Sequence, residues 1–518
     1  MARVFVLWDE SHLWGVLVLR ALRALKHPHV ILRAHDIAEG ALAGKSAAFG
    51  RPMGDGAGSG QSDTPALLIV PGGLARGRAV RLGANGRQAI RDFVAAGGSY
   101  LGFCGGAGLA LTSPRAGDSL GLCPWGRMGF AGRLQHFLSG HVRLELDAAD
   151  PLTLPTPPAA PGTPGKAEIL APVWWPAQFA PTKNERDEVA VLARYAGLGA
   201  DFWVADLNLA LLPEGTLSDW ENLYGLQIRP DFLNGRPAVI AGNFGAGRYV
   251  LSYPHLETPD SPAANAWFAH LLDKLTNGLT GGVTGGLPED LGNAAPPAPA
   301  PSAPTDGASI IPPWHVGQPL ADGEPRWPHW DDPALLSAKA ALEKAIAVGE
   351  SHLLLFWRSP WLLGWRRGLP GPGINSVYAL VCEALAAAPP AAGSAAAAYW
   401  AEHAPEFARL AELFCSGLSG LLLAERLDMT VRATPSGNGT DETFTASLRE
   451  TRRALFGTAP AIGGLCGELL GMLEELCGGL WGSEARPSLF SGYFFRLPVA
   501  NQTKLAKNSG MLGVHIKI

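Results

Sequence analysis

Short apolar runs alternate with helically spaced apolar positions along the N-terminal part of the chain. Four runs have the length and composition of buried strands: RVFVLW, HVILRAH, PALLIVPGG and SYLGFC, at residues 3–8, 29–35, 65–73 and 99–104. Between the last two runs, Ile90, Phe93 and Val94 recur at helical spacing. Strands that are apolar throughout and alternate with helices predict a mostly parallel sheet with helices on both faces.

The same domain continues through a less regular middle. A Pro-rich loop at 150–165 interrupts it, but strand-like runs resume at 188–196 (EVAVLARYA) and at 236–257 (RPAVIAGNFGAGRYVLSYPHLE). The second of these runs predicts a hairpin that turns at Gly245–Gly247. The segment at 259–275 (PDSPAANAWFAHLLDKL) then predicts a helix.

Composition changes sharply after this helix and divides the chain. The first domain is predicted to span 1–276, and the Pro/Ala/Gly-rich stretch 277–331 is predicted to be a linker that cannot bury a core. Apolar positions recur at helical periods over 332–482, which predicts a separate, mainly α-helical domain. Residues 483–518 are left as a C-terminal tail.

Bulk composition narrows the classes of function. The chain of 518 residues is 47% hydrophobic and 17% charged, enough for two folded domains. Its net charge is −5 without a basic cluster, which disfavours a nucleic-acid partner. Six cysteines without a CxxC pair predict reduced thiols and a cytoplasmic protein. No transmembrane segment is expected, because the apolar run at 352–357 soon meets Arg358 and Pro360.

One cysteine stands where a predicted strand enters a predicted helix. In YLGFCGGAGLAL, the glycines Gly102 and Gly106 flank Cys104 at spacings of two residues. A nucleophile on such a tight turn projects above the sheet, and glycines avoid clashes with the neighbouring elements. The following helix directs its positive end toward the thiol, and the amide of Gly105 becomes a candidate oxyanion donor.

A second signal lies about 150 residues further along, in YVLSYPHLETP. His255 and Glu257 are two residues apart at the end of a predicted strand, so they share one face of extended chain. Glu257 can then accept a hydrogen bond from the imidazole and orient it. Cys104, His255 and Glu257 therefore form a candidate nucleophile, general base and orienting carboxylate.

These motifs resemble a known superfamily. GFCGG followed by PHLE is similar to the class I glutamine amidotransferase-like superfamily, and LLIVPGG, IRDFVAAGGSYLGFCGGAGLA and GAGRYVLSYPHLE are similar to the N-terminal domain of eukaryotic-type biotin-protein ligases. The resemblance covers roughly 1–276. It implies a flavodoxin-like fold with Cys104 as nucleophile, His255 as base and Glu257 as the third member of a triad.

The resemblance also implies further site residues. Gly73, after the third strand, lies where such enzymes recruit an oxyanion donor beside that of Gly105. In a related branch of the superfamily a glutamate after the first strand contacts the cysteine, which makes Glu10 a candidate modulator. Capping of the next helix by Asp9 or Ser11 is the alternative use of this segment.

The sequence departs from the superfamily in ways that bear on the substrate. Gly108 stands where glutaminases carry a glutamine after the elbow, and residues 277–518 lack a Gly-Arg-Gly-rich biotinyl-adenylate loop. We therefore expect a cysteine-dependent amidase or acyl hydrolase acting on a small-molecule amide or acyl compound.

Two alternative functions stay open. One is a non-catalytic binding or regulatory module whose helical domain docks a protein partner, and the other is an amidotransferase half that supplies ammonia to a separate synthase.

No cofactor or metal is expected from the motifs. Gly106 and Gly108 begin a dinucleotide-like pattern, but Leu111 stands where the third glycine belongs. Cys123 with His136 and His141 matches no standard zinc-ligand spacing.

Overall fold

The computed structural model divides the chain into two compact units, Met1–Trp314 and His315–Ile518. The residues it describes are 3–43, 65–115, 117–128, 138–147, 149–155, 167–182, 189–225, 227–277, 309–314, 316, 330–366, 371–433, 442–458 and 462–482. The predicted C-terminal tail and most of the predicted linker lie outside these residues. At 309–314, within the predicted linker, Ile311 and Trp314 are buried.

The first unit combines strands and helices in the predicted alternation. Its strands are β1 (Arg3–Leu7), β2 (His29–Leu32), β3 (Pro65–Val70), β4 (Ser99–Phe103), β5 (Gly126–Arg127), β6 (Leu138–Leu146), β7 (Glu168–Trp174), β8 (Phe179–Ala180), β9 (Val189–Leu198), β10 (Trp203–Val204), β11 (Leu207–Asn208), β12 (Pro237–Phe244) and β13 (Gly247–Ser252). Its helices are α1 (His12–Ala24), α2 (Ala34–Ala38), α3 (Ala75–Ala95), α4 (Gly105–Ala110), α5 (Thr216–Tyr224) and α6 (Pro262–Asn277).

One mixed sheet organises the described part of this unit. Its order is β11-β10-β6-β9-β12-β13-β4-β3-β1-β2, with β7 also paired to β6. The neighbours β2, β1, β3, β4 and β13 are parallel, and the strands from β12 onward are antiparallel. The predicted hairpin joins the two halves, because Phe244 pairs with Gly247 across its turn. The fold class is confirmed, and the parallel half has the helix-covered arrangement predicted for it.

Both faces of the parallel half are covered, which explains why its strands are apolar throughout. On one face, Leu68 and Tyr100 join a core with Ile90 of α3. On the other face, the ring of Phe103 lies 5.6 Å from that of Phe268 in α6. All five residues of β4 are buried. The strand ends at Phe103 and α4 begins at Gly105, so Cys104 lies at the carboxyl end of a central strand.

The second unit is mainly helical, as predicted. Its helices are α7 (Pro333–Ser351), α8 (Gly371–Ala386), α9 (Ala395–Ala433), α10 (Glu442–Phe456) and α11 (Gly464–Gly482). A hairpin that the sequence analysis did not predict, β14 (Leu355–Ser359) with β15 (Leu362–Trp365), lies between α7 and α8. Among the described helices, one stretch of α9, Ala395–Arg432, has the length and hydropathy of a membrane span, and 44% of its most apolar window is buried inside the protein.

Candidate active site

Cys104 occupies a strained turn between β4 and α4. Its backbone has φ 46° and ψ −103°, a region that residues with a side chain rarely adopt. Its amide donates to the carbonyl of Ser252 at 2.7 Å, which ties the turn to the end of β13. A Cβ on Gly106 would lie 2.0 Å from the carbonyl oxygen of Val70, so α4 can approach β3 this closely only with glycine there. The thiol is half-buried.

His255 and Glu257 form a hydrogen-bonded pair directly after β13. His255 Nδ1 lies 2.7 Å from Glu257 Oε1, and both side chains are 0% exposed. The His255 amide donates to the carbonyl of Pro172 at 2.8 Å, which fixes the loop against β7. Within the described part of the chain, His255 Nε2 and Glu257 Oε2 have no hydrogen-bond partner. One imidazole nitrogen is therefore held by the carboxylate, and the other is available for chemistry.

Electrostatics favours the charged form of this histidine. Burial alone would lower the pKa of His255, but the carboxylate of Glu257 and the nearby Cys104 together raise it to about 10. The charged imidazolium is therefore favoured at His255. An imidazolium close to a thiol stabilises the thiolate, which is the nucleophilic form of cysteine.

The two predicted oxyanion donors lie side by side. A Cβ on Gly105 would stand 1.9 Å from the Gly73 carbonyl oxygen and 3.1 Å from the Gly73 nitrogen. Gly73 itself has φ 124°, a conformation that favours glycine. A Cβ on the preceding Gly72 would lie 2.6 Å from Cε1 of His255, so the imidazole packs directly on this backbone. The structure thus brings Cys104, His255, Glu257, Gly73 and Gly105 together.

Glu10 borders this group through its backbone. A Cβ on Gly73 would lie 2.1 Å from the Glu10 carbonyl oxygen. Its carboxylate makes an ion pair with Arg81 Nε at 3.0 Å, which directs it toward α3. Its modulating role stays a prediction.

The alternative use of the segment after β1 is only partly realised. Ser11 precedes α1 but makes no capping hydrogen bond to it; its hydroxyl donates to the carbonyl of Leu7 and accepts from Arg78. Asp9 does not cap α1 either. Its carboxylate accepts hydrogen bonds from Arg33 and from the amide of Ala34, and it therefore stabilises the start of α2.

Sequence analysis missed a buried arginine that holds the loops around the site. Arg78 of α3 is 0% exposed. Its guanidinium donates to oxygens of two loops, those that follow β1 and β3. The acceptors are the carbonyls of Asp9, Glu10, Pro71 and Gly72 and the hydroxyl of Ser11, at 2.9–3.1 Å. The loop at 71–73, which carries the predicted oxyanion donor Gly73, is therefore positioned by a side chain from the helix that follows it.

Sequence analysis also missed a cluster of three tryptophans, Trp14, Trp174 and Trp175, that contacts the thiol and the imidazole. The Trp14 ring lies 4.7 Å from the His255 ring, and the thiol of Cys104 contacts the Trp174 carbonyl at 3.8 Å. Trp175 has φ 57°, another rare conformation for a residue with a side chain. The WW dipeptide at the end of β7 was the one signal in the sequence that could have indicated them.

The described residues contain no group of His, Cys, Asp and Glu side chains arranged to hold a metal ion. Cys123 is buried without a disulfide, and His136 lies outside the described residues. His141 makes a hydrogen-bonded series with Asp201 (2.8 Å) and Ser261 (3.0 Å). In that series Asp201 is half-exposed and Ser261 is buried, which is the reverse of the exposure that a serine nucleophile requires.

A cysteine elbow at the end of a central parallel strand, followed late in the domain by a His-x-Glu pair, is the arrangement of the class I glutamine amidotransferase-like fold. Within that class, residues 61–113 match the family model described as biotin-protein ligase, N terminal. This match confirms the resemblance seen in the sequence. It includes Gly73, Cys104 and Gly105, whereas His255 and Glu257 lie outside it.

Solved structures give only distant likenesses. A Thermoplasma acidophilum protein assigned to GMP synthase is 14% identical with a TM-score of 0.29, covering 53% of this chain and 94% of its own. A ThuA-like protein from Bacteroides uniformis is 12% identical with a TM-score of 0.31, covering 53% and 90%. A cytoplasmic protein from Salmonella typhimurium is 11% identical with a TM-score of 0.27, covering 52% and 98%. TM-scores this low support no conclusion about function.

None of the curated proteins compared with the chain matches it significantly.

Proposed function

We propose that the first unit is a cysteine-dependent amidase or acyl hydrolase that acts on a small amide or acyl compound. The observation that carries this proposal is the buried His255–Glu257 pair, 2.7 Å apart, beside a thiol on a strained turn. A structural cysteine needs neither a strained turn nor an imidazolium next to it. Strain of this kind costs about 1–3 kcal/mol and concentrates at functional sites.

The geometry supports a two-step mechanism. The Cys104 thiolate attacks the substrate carbonyl carbon, a C–S bond forms, and the amides of Gly73 and Gly105 donate to the oxyanion. His255 transfers a proton from Nε2 to the leaving amine or alcohol as the C–N or C–O bond breaks, which leaves a thioester. Neutral His255 then takes a proton from water, and the hydroxyl adds to the thioester carbon. Collapse of this intermediate releases the acid and restores thiolate and imidazolium.

One observation favours the alternative of a binding or regulatory module. His255 and Glu257 are completely buried, whereas Cys104 is only half-buried, so the thiol is more accessible to a ligand than the proposed base. In that alternative the elbow binds a small acyl or amide compound without consuming it, and the helical unit docks a protein partner. Either role suits a cytoplasmic protein with reduced thiols.

The pH profile of iodoacetamide labelling at Cys104, read by peptide mass spectrometry, tests the proposal. We expect fast labelling near neutral pH and labelling at least tenfold slower in His255→Ala, because the thiolate loses its imidazolium. His35→Ala is the matched control, since the His35 side chain is 49% exposed. Labelling of Cys104 that is as slow as that of an unfolded thiol and indifferent to His255 would contradict the proposal.

A further inference from the structure

The walls beside the proposed nucleophile are aromatic. The Cys104 thiol contacts the carbonyl of Trp174, so the end of β7 borders the sulfur atom. The Trp174 ring stacks with the Trp14 ring at a centroid distance of 6.2 Å and an interplanar angle of 25°. Trp14 in turn packs on His255, so the backbone of Trp174 borders the thiol and the Trp14 ring borders the imidazole.

Two of these rings are partly open to solvent. Trp14 and Trp175 are half-buried, whereas Trp174 is only 6% exposed. The centroids of Trp14 and Trp175 are 6.0 Å apart and their planes meet at 86°. Two perpendicular rings form a two-sided apolar corner, and its Trp14 wall contacts His255 of the proposed triad.

The backbone of Trp175 gives independent support for a functional role of this corner. Its φ of 57° places a large side chain in a conformation that favours glycine. Such outliers cost about 1–3 kcal/mol and persist where the surrounding structure requires the side chain in a particular place. The chain therefore retains a strained tryptophan beside the site where glycine would be more stable.

The deeper surroundings of the thiol are aromatic as well. Tyr195 and Tyr253 are buried, and burial raises the pKa of both phenols. Both tyrosines are thus neutral. Neutral phenols therefore lie near the thiol, and neutral aromatic groups are the lining that an aromatic side group of a substrate prefers.

A cationic group is the other ligand that indole rings recognise. The Trp14 ring already lies 4.7 Å from the His255 ring. Glu257 and Cys104 favour the charged form of the His255 imidazole. A second positive charge in the corner would be repelled by the imidazolium. The electrostatics therefore favours a neutral group.

We propose that the substrate carries a neutral aromatic ring next to its reacting carbonyl, and that the corner formed by Trp14 and Trp175 binds this ring. The inference rests on the proposed function and specifies its substrate class as an arylacyl amide or ester. It also accounts for Gly108, because a site for an aromatic side group has no need of the glutamine that glutaminases carry there.

Substituted iodoacetamides test the inference on the full chain without knowledge of the natural substrate. The rate constant for alkylation of Cys104 is measured with iodoacetamide, with N-benzyl iodoacetamide and with a trimethylammonioethyl iodoacetamide. Each value is divided by the rate of the same reagent with glutathione. We expect a normalised preference of at least tenfold for the benzyl reagent, since burial of one ring supplies that much affinity.

Two variants locate the preference. Trp175→Gly removes the ring and suits the left-handed backbone, and Trp14→Leu removes the other wall. We expect the ratio of benzyl to unsubstituted rates to fall toward one in both variants. Trp357→Leu is the control and keeps the ratio of the unmodified protein, because Trp357 lies in the second unit and is 37% exposed.

The outcomes separate this inference from the proposed function. A benzyl preference that disappears with either ring supports the aromatic corner, even if His255→Ala leaves all rates unchanged and the hydrolase proposal fails. Rates that depend on His255 without a benzyl preference overturn the corner and leave the hydrolase in place. A preference for the trimethylammonium reagent, or a benzyl preference that survives both variants, also overturns the inference.

Discussion

At the scale of single residues, the conformation of Cys104 is the most informative feature. A side chain at φ 46° is strained, and the strain belongs to the backbone rather than to the sulfur atom. Alanine at this position keeps the strain, whereas glycine removes it. The usual order of stability, in which alanine exceeds glycine, is therefore expected to reverse here.

We predict that Cys104→Gly is more stable than Cys104→Ala by about 0.5–2 kcal/mol, the relief of strain minus the greater chain entropy of glycine. Urea denaturation measures this, with labelling of buried Cys123 reporting the unfolding of the first unit. Ala347→Gly on the exposed side of α7, read from labelling of buried Cys466 in the second unit, provides the ordinary ranking, a loss of about 1 kcal/mol. An alanine variant more stable than the glycine variant would show that the turn is unstrained.

The raised pKa of His255 predicts how stability depends on pH. The imidazolium is favoured in the folded state, so its contribution is complete below the ordinary pKa of 6.5 and is lost as pH rises through about 10. We expect the free energy of unfolding of the first unit to decrease over this window, by up to about 1.4 kcal/mol per pH unit. Glu257→Gln flattens the decrease, while Glu39→Gln, at an exposed position, retains it. An equal slope in Glu257→Gln would contradict the ion pair.

At the scale of elements, the site depends on two loops that one side chain joins. Arg78 extends from α3 and donates hydrogen bonds to the loops after β1 and β3. Its guanidinium donates to five neutral oxygens of these loops, so it acts as a positioning residue. The geometry of Gly72 and Gly73 then depends on α3 as much as on the loop itself.

We predict that Arg78→Met lowers the free energy of unfolding of the first unit by about 3–5 kcal/mol, because several buried oxygens lose a donor. Labelling of Cys123 in urea measures the stability, and alkylation of Cys104 at low urea measures the site. We expect slower alkylation of Cys104 as the oxyanion loop shifts. Arg81→Met, at a side chain 48% exposed, costs less than about 1 kcal/mol and is the control. Equal effects of the two substitutions would contradict a positioning role.

How far sequence could predict these elements depends on the range of the interactions involved. The apolar runs were sufficient to predict the strands of the parallel half, and the two-residue spacing was sufficient to predict that His255 and Glu257 meet. Both patterns act within one segment of the chain. Arg78 and Trp14 were missed because their roles arise from contacts with distant segments. The hairpin of β14 and β15 was missed because a short apolar run suits a strand and a helix equally well.

At the scale of the whole molecule, the two units have separate cores. Phe407 of α9 is completely buried in the second unit, and Cys123 is buried in the first. Cysteines are buried in both units, so a single labelling experiment reports each core separately. Those of the second unit are Cys382, Cys415, Cys466 and Cys477.

We predict that Phe407→Ala lowers the urea midpoint for labelling of Cys415 and Cys466, in line with a loss of about 3–5 kcal/mol for a buried phenylalanine. The midpoint for Cys123 is expected to stay unchanged, because separate cores unfold as separate units. Leu427→Ala, at a side chain 54% exposed in α9, is the control and leaves both midpoints nearly unchanged. A parallel shift of Cys123 would mean that the units unfold together.

The strained turn at Cys104 also has an evolutionary consequence. Cysteine and glycine codons differ by one nucleotide, and glycine is the residue that this backbone conformation favours. In a lineage that had no use for the thiol, a single-nucleotide change would therefore replace it with the residue that relieves the backbone strain. Cysteine at this position keeps the backbone strain that glycine would relieve. Its retention across descendants therefore measures the selection that acts on its chemistry.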